Sequence, residues 1–325
     1  MAGIEQQHVE WFSGWFSAVL DNVGHVIKGK QDQVGLALLA VFAEGHVLLE
    51  DVPGTGKTML AKSIAVSFSG GWSRVQFTPD LLPADVTGGL VYDQSRGTFE
   101  FHRGPVFANV ILGDEINRAS PKTQSALLQV MEERHITVGS DTYAVPRPFT
   151  VIATQNPVEQ EGTYQLPEAQ LDRFLMRMSL GYPDHEHEVD VLRSVAAGGT
   201  PDLLSPVMSA EDAARMIDVA SAVHLDDAIR SYIVRLCSAS RGLKELRLGV
   251  STRGAIAVMR VARTLAAAQG RVFVTVDDVK AIAHPVMAHR MLLTPEAELG
   301  HVRTDDLVDR LLDEVEVPDA IRDAS

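Results

Sequence analysis

Near the start of the chain, Trp11, Phe12, Trp15, Phe16, Val19 and Leu20 recur at helical spacing and share one face of a helix over 8–24. That face either packs onto its own domain or receives a partner. A second helix, over 31–43, leads into His46-Val47-Leu48-Leu49-Glu50, an apolar run of the length of a buried strand. Further apolar runs at 73–77, 109–113, 149–154 and 174–179 alternate with helical stretches near 57–68, 120–133 and 167–172. This alternation predicts an α/β fold, a parallel sheet covered by helices on both faces. Ser120 followed by Pro121 supplies an N-cap and a first-turn proline, and Ala126, Leu127, Val130 and Met131 form the buried stripe of the helix they open.

Two segments break the alternation. Residues 89–101 place Gly97 between two short strands, and 135–147 place Gly139-Ser140-Asp141 between two more, so both read as inserted hairpins. Beyond Pro183-Asp184 the strand signal fades, and helical periodicity covers 184–197, 209–222, 226–241, 252–269 and 275–289. The division expected is an α/β core over 1–182 and a smaller all-helical lid over 183–325.

The length of 325 residues suits two such domains, and 46% apolar with 22% charged residues is ordinary for a globular protein. The 29 Lys and Arg against 43 Asp and Glu leave a formal charge of −14, which disfavours a general binder of phosphate backbones. The one cysteine, Cys237, excludes an intramolecular disulfide and reads as a small core residue. The start of the chain lacks the pattern of a secretory signal, and the run Val34–Ala43 is too short to span a bilayer. A cytoplasmic location is expected.

Candidate chemistry sits at the ends of the strands. Asp51-Val52-Pro53-Gly54-Thr55-Gly56-Lys57-Thr58 follows a strand and opens a helix, the setting of a phosphate loop. Gly54 and Gly56 let backbone N–H groups curl around phosphate oxygens, Lys57 reaches the β- and γ-phosphates, and the Thr58 hydroxyl binds Mg²⁺. Asp51 departs from the strict pattern, which has glycine first. Val110-Ile111-Leu112-Gly113-Asp114-Glu115 is a buried strand ending in two acids, a Walker B arrangement. In a parallel sheet Asp114 emerges beside the phosphate loop, where it can hold Mg²⁺ or its water, and Glu115 can polarise an attacking water. The strand over 151–154 delivers Gln155-Asn156-Pro157 to the same edge, where Asn156 either senses the γ-phosphate or serves as a turn residue. His185 with His187, and His284 with His289, lack the arrangement of a metal site.

Together with the phosphate loop, the stretches Asp-Glu-Ile-Asn-Arg-Ala-Ser-Pro at 114–121, Ala-Thr-Gln-Asn-Pro at 153–157 and Leu-Pro-Glu-Ala-Gln-Leu-Asp-Arg-Phe at 166–174 resemble the MoxR family of AAA+ ATPases, of the helix-2-insert clade. Gln76–Gly88 fits the same family, and the similarity runs from about Val26 into the lid. The resemblance implies an ATP hydrolase using Mg²⁺, with Asn156 as first sensor, Arg173 as a finger reaching a neighbouring subunit's γ-phosphate, and Arg253 as second sensor on the lid. Pro53, Gly54, Thr55, Gly56, Lys57, Thr58 and Met59 then hold the nucleotide. Val26, Ile27 and Gly29 stand where family members wrap the adenine, or serve plain packing. Thr252 departs from the family, which more often has proline before the second sensor.

The hairpins correspond to the helix-2 insert (about 86–104) and the pre-sensor-1 hairpin (about 135–147). The resemblance further implies a homo-oligomer, a hexameric ring, that remodels, activates or matures the metal cofactor of a client protein, with a von Willebrand A domain protein as partner. No nucleic acid partner is expected. A nucleic-acid motor or loader is the alternative within the same clade, and a nucleotide switch without turnover is disfavoured by the intact Lys57, Asp114 and Glu115.

Overall fold

In the computed structural model, which describes residues 4–156, 164–196, 198 and 204–318, the apolar runs form one parallel sheet. Helices α1 (Gln6–Gly24) and α2 (Gln31–Phe42) precede β1 (Val47–Glu50), and α3 (Lys57–Ser67) joins it to β2 (Trp72–Gln76). After β2 come a short α4 (Pro83–Thr87) and a hairpin of β3 (Gly88–Asp93) and β4 (Thr98–Arg103). The strand β5 (Val110–Asp114) is followed by α5 (Pro121–Glu133), and a second hairpin comprises β6 (His135–Val138) and β7 (Asp141–Ala144). Then come β8 (Thr150–Gln155), α6 (Glu168–Leu171) and β9 (Met176–Met178). The sheet order is β2-β5-β8-β1-β9. Its middle strands bury Val47–Leu49, Val110–Leu112 and Val151–Ala153 completely, because helices cover a parallel sheet on both faces.

Local signals account for the elements that carry the site. Ser120 caps α5 by accepting the N–H of Thr123, and Pro121 occupies the first turn, where its missing N–H costs no bond. Leu127, Val130 and Met131 of this helix are buried as expected. Leu128 joins them, whereas Ala126 stays partly exposed. Of the expected face of α1, Phe12, Phe16 and Val19 are buried, with Val9 and Val23, while Trp11, Trp15 and Leu20 are only partly covered.

The remaining elements are α7 (His185–Ala196), α8 (Ala210–Ala222), α9 (Asp227–Arg241), β10 (Leu246–Leu248), α10 (Thr252–Ala268), α11 (Val276–Ala281), α12 (Ala283–Met287), β11 (Leu292–Leu293), α13 (Pro295–Leu299) and α14 (Thr304–Glu314). The helix expected over 275–289 is broken at Ile282, whose ψ of 3° leaves the helical range. The break puts Pro285 in the first turn of α12, where no intrahelical acceptor awaits an N–H. A small antiparallel pair, β10 with β11, adds to the helical lid. Pro157 and the end of the expected helix over 184–197 lie outside the described residues.

Two compact units result. Of the described residues, one carries the sheet strands β1, β2, β5 and β8 and falls within 18–166 and 178–214; the other falls within the residues up to Ser17, 167–177 and the chain from Arg215 onward. No helix among the described residues is long and apolar enough to cross a membrane.

Candidate nucleotide site

At the carboxyl ends of the strands, the sheet-bearing unit forms a cavity of about 440 Å³ lined by Asp51, the loop Pro53–Met59, Arg74, Gln76, Asp114, Glu115 and Thr154–Asn156. Parallel strands deliver these residues to one edge, since each strand ends in the same direction. Gly54 (φ +85°) and Gly56 (φ +91°) adopt the left-handed backbone that L side chains rarely take, so the loop can curl at both positions. Gly56 is also the N-cap of α3 and provides no capping side chain. The first-turn N–H groups of α3 therefore open towards the cavity, with the positive end of the helix dipole behind them. Lys57 folds back over its own loop, Nζ donating to the carbonyls of Val52 (2.8 Å) and Asp51 (3.3 Å).

Asp51, the departure from the strict loop pattern, has a structural job. Its carboxylate is buried. Oδ1 accepts from Ser179 Oγ (2.7 Å) and the Gly181 N–H (3.0 Å), and Oδ2 accepts from the Leu180 N–H (2.6 Å). The start of the phosphate loop is thereby bound to the segment that follows β9, a link glycine could not make.

The two acids at the end of β5 are held differently. Asp114 Oδ1 accepts from Thr154 Oγ1 (2.7 Å), and its Oδ2 pairs with Arg74 (2.6 Å). Glu115 Oε2 accepts from Gln76 Nε2 (2.8 Å) and from Arg118 (2.9 Å), and its own N–H donates to Thr154 Oγ1 (2.8 Å). Glu115 has φ +58° and ψ 50°, a left-handed conformation that costs a non-glycine residue about 1–2 kcal/mol. Strain of this kind persists where surrounding bonds hold it, and it is common at functional sites. Asn156 is buried and lines the cavity.

Ile27 and Gly29 line a second cavity of about 500 Å³ in the same unit, together with His25, Lys28, Lys30 and His187. Ile27 Cδ1 lies 4.0 Å from where a Cβ on Gly56 would sit, next to the phosphate loop. The His187 ring packs against Gly29 (φ +67°) so closely that a Cβ there would meet Cγ at 2.5 Å. Val26 is half-buried and lines neither cavity.

Arg173 and Arg253 belong to the other unit. Arg173 follows α6, and Arg253 is exposed in the first turn of α10. Their segments are joined through Asp172, which accepts from Ser251 Oγ (2.9 Å), the N-cap of α10, and from Arg290 Nε (2.8 Å). Arg290 is buried, and desolvation lowers its pKa although Asp172 opposes the shift. Burial likewise drives His289 well below the ordinary imidazole value, assisted by Arg290 and Arg177.

Sequence reasoning missed Arg74, Gln76 and Thr154 as site residues. Arg74 and Gln76 are two apart on β2, so they share a face, and Gln76 pairs in register with Asp114. The spacing was readable, but the register was not.

The donors around the loop suit a magnesium nucleotide: the Thr58 hydroxyl and the Asp114 carboxylate are hard oxygen ligands. Among the described residues no group of three or more His, Cys, Asp or Glu could hold a metal without further ligands. A cation here would complete its shell with phosphate oxygens and water, the usual manner of Mg²⁺.

Known proteins resemble this chain along most of its length. The family described as "ATPase family associated with various cellular activities (AAA)" matches residues 46–176, and the AAA lid domain family matches 239–311. The chain is 45% identical to YeaC of Bacillus subtilis, over 92% of this chain and 93% of that protein. It is 40% identical to the chaperone MoxR1 of Mycobacterium tuberculosis, over 91% and 80% of the two chains. A crystal structure of a Cytophaga hutchinsonii protein superposes with a TM-score of 0.90 at 38% identity, covering 96% of this chain and 97% of the other. Likeness over nearly the whole length, core and lid together, places the chain in the MoxR family of AAA ATPases.

Proposed function

We propose that this protein hydrolyses ATP to ADP and phosphate in a ring of its own copies and uses the cycle to remodel, activate or mature a client protein. The observation that carries the reading is the convergence of Gly54–Thr58, Asp114, Glu115 and Asn156 on one cavity at the carboxyl edge of the sheet. Lys57, on a flexible stem, turns from the loop carbonyls to the β- and γ-phosphates, while the α3 amides hold their oxygens. Thr58 and Asp114 hold Mg²⁺, which would neutralise charge developing on the phosphates. Glu115 orients and polarises the attacking water, and Asn156 holds that water or the γ-phosphate from the next strand. Ile27 and Gly29 border the cavity that takes the adenine, and Val26 is the third residue we assign to adenine binding.

Arg173 acts in trans on a neighbour's γ-phosphate and Arg253 acts from the lid, each adding positive charge where phosphoryl transfer concentrates negative charge. Hydrolysis is then a property of the ring, which we take as hexameric. The division we propose is a nucleotide-binding core over 1–182 and a helical lid over 183–325. The relationship to a chaperone, MoxR1, supports a client protein, and a von Willebrand A domain partner follows from the family resemblance. The β3–β4 hairpin exposes Leu90, Val91, Tyr92 and Phe99, apolar surface of the kind that meets a partner. The charge of −14 disfavours a nucleic-acid motor, and a cytoplasmic location fits a reduced single cysteine.

The test is a pair of variants assayed for fluorescent nucleotide binding and for turnover. Glu115→Gln should bind Mg–ATP with unchanged affinity and lose at least about a hundredfold in kcat, a cost typical of a lost general base. Arg173→Ala should show the same split in the assembled state. Turnover at the wild-type rate in Glu115→Gln would refute the assignment.

A further inference from the structure

The group that touches both acids of the site is one that neither the phosphate loop nor the Walker B strand supplies. Thr154, on β8, is 1% exposed. Its Oγ1 accepts the Glu115 N–H at 2.8 Å and donates its single proton to Asp114 Oδ1 at 2.7 Å. The two bonds fix the hydroxyl's direction: its one proton goes to the carboxylate and a lone pair receives the amide. As a β-branched residue in a buried strand, threonine also has a narrow choice of χ1, so the hydroxyl stays in place.

We infer that Thr154 is the positioning residue of the acid pair. Its hydroxyl fixes the rotation of the Asp114 carboxylate, leaving Oδ2, the oxygen now paired with Arg74, to face a divalent cation. The same hydroxyl holds the Glu115 backbone at φ +58°, the conformation from which that carboxylate is aimed. One side chain on the neighbouring strand thus sets both the metal ligand and the general base. The role rests on the reading that the site hydrolyses Mg–ATP.

The experiment compares wild type, Thr154→Val, which keeps the shape and removes the hydroxyl, and Thr154→Ser, which restores it. Two readouts are taken: binding of a fluorescent ADP analogue with EDTA and across a Mg²⁺ titration, and kcat for ATP. The valine variant should bind the analogue in EDTA within about twofold of wild type. It should need about tenfold more Mg²⁺ for the metal-dependent gain in affinity and lose about 10–100-fold in kcat, as expected for a charge-assisted hydrogen bond removed from a partly buried carboxylate. The serine variant should recover most of both. Should the valine variant fail to fold, Thr154→Ala takes its place in the comparison. Equal Mg²⁺ dependence and kcat in variant and wild type overturn the proposal. So does a loss of EDTA binding that matches the loss with Mg²⁺, or a serine variant no better than valine, because either result marks a packing role. If wild type itself shows no turnover, the hydrolase reading falls, while the Mg²⁺ titration still decides the role of Thr154.

Discussion

Replacing Asp51 by alanine should destabilise the sheet-bearing unit by more than an ordinary surface substitution does, and the amount can be worked from its bonds. Asp51 is 5% exposed, and its carboxylate accepts three hydrogen bonds, from Ser179 Oγ, the Leu180 N–H and the Gly181 N–H. In the alanine variant the Ser179 hydroxyl can rotate to another acceptor, but the two amides cannot. A buried donor left without a partner costs about 1–3 kcal/mol, and bonds to a charged acceptor lie at the upper end. Two stranded amides give about 3–5 kcal/mol, after allowing for the desolvation that wild type bears by burying a charge. For a unit of this size about 1 kcal/mol moves the melting temperature by roughly 2–4 °C, so the shift expected is about 6–20 °C.

Differential scanning calorimetry is the assay, following the transition that responds to nucleotide, because two units need not melt together. Asp51→Asn should fall between the two, since its carbonyl keeps the Oδ1 bonds while its NH₂ faces the Leu180 N–H. Asp51→Gly, which restores the strict loop pattern, should melt no higher than alanine. An alanine variant melting within about 2 °C of wild type would refute the reasoning.

Two groups in the other unit make further predictions. Burial pushes the Cys237 thiol up to about 11 against the opposing pull of Arg241 and Arg290, so at pH 7.5 the thiolate is of the order of one part in a thousand or less; Ellman's reagent should label it at least about a hundredfold slower in the native protein than in urea, and rapid native labelling would contradict this. His289 is neutral in the folded state because burial lowers its pKa, with Arg290 and Arg177 adding to the shift. The unfolded chain therefore takes up its proton first, and the stability His289 contributes is present above about pH 6.5 and lost as pH falls below it. His289→Gln should flatten the fall in urea midpoint between pH 8 and 5, and an identical slope in variant and wild type would remove this histidine as the cause.

What could be read along the chain was whatever neighbouring residues decide among themselves. The apolar runs at 46–50, 109–113 and 149–154 became the buried middle strands because a covered parallel strand has no solvent face to mark with polar residues. Gly54 and Gly56 marked a loop that curls, and Ser120 with Pro121 marked the start of α5, because backbone freedom and capping act within a few residues. The hairpins at 89–101 and 135–147 were equally visible, as Gly97 and Gly139 take positive φ at their turns.

Pairing across the sheet was a different matter. The order β2-β5-β8-β1-β9 brings Arg74 and Gln76 beside Asp114 and Glu115 and puts Thr154 between the two acids, although these residues are some 40 positions apart in sequence. Asp51 looked like a flaw in a motif until Ser179, Leu180 and Gly181 arrived to bond it. Sequence by itself determined the core's main strands and the helices that flank them, and marked the glycine loop proposed for phosphate, since those follow from local conformation and side-chain type. Only the tertiary structure decided which polar groups complete the site, because strand register brings together residues that no local pattern links.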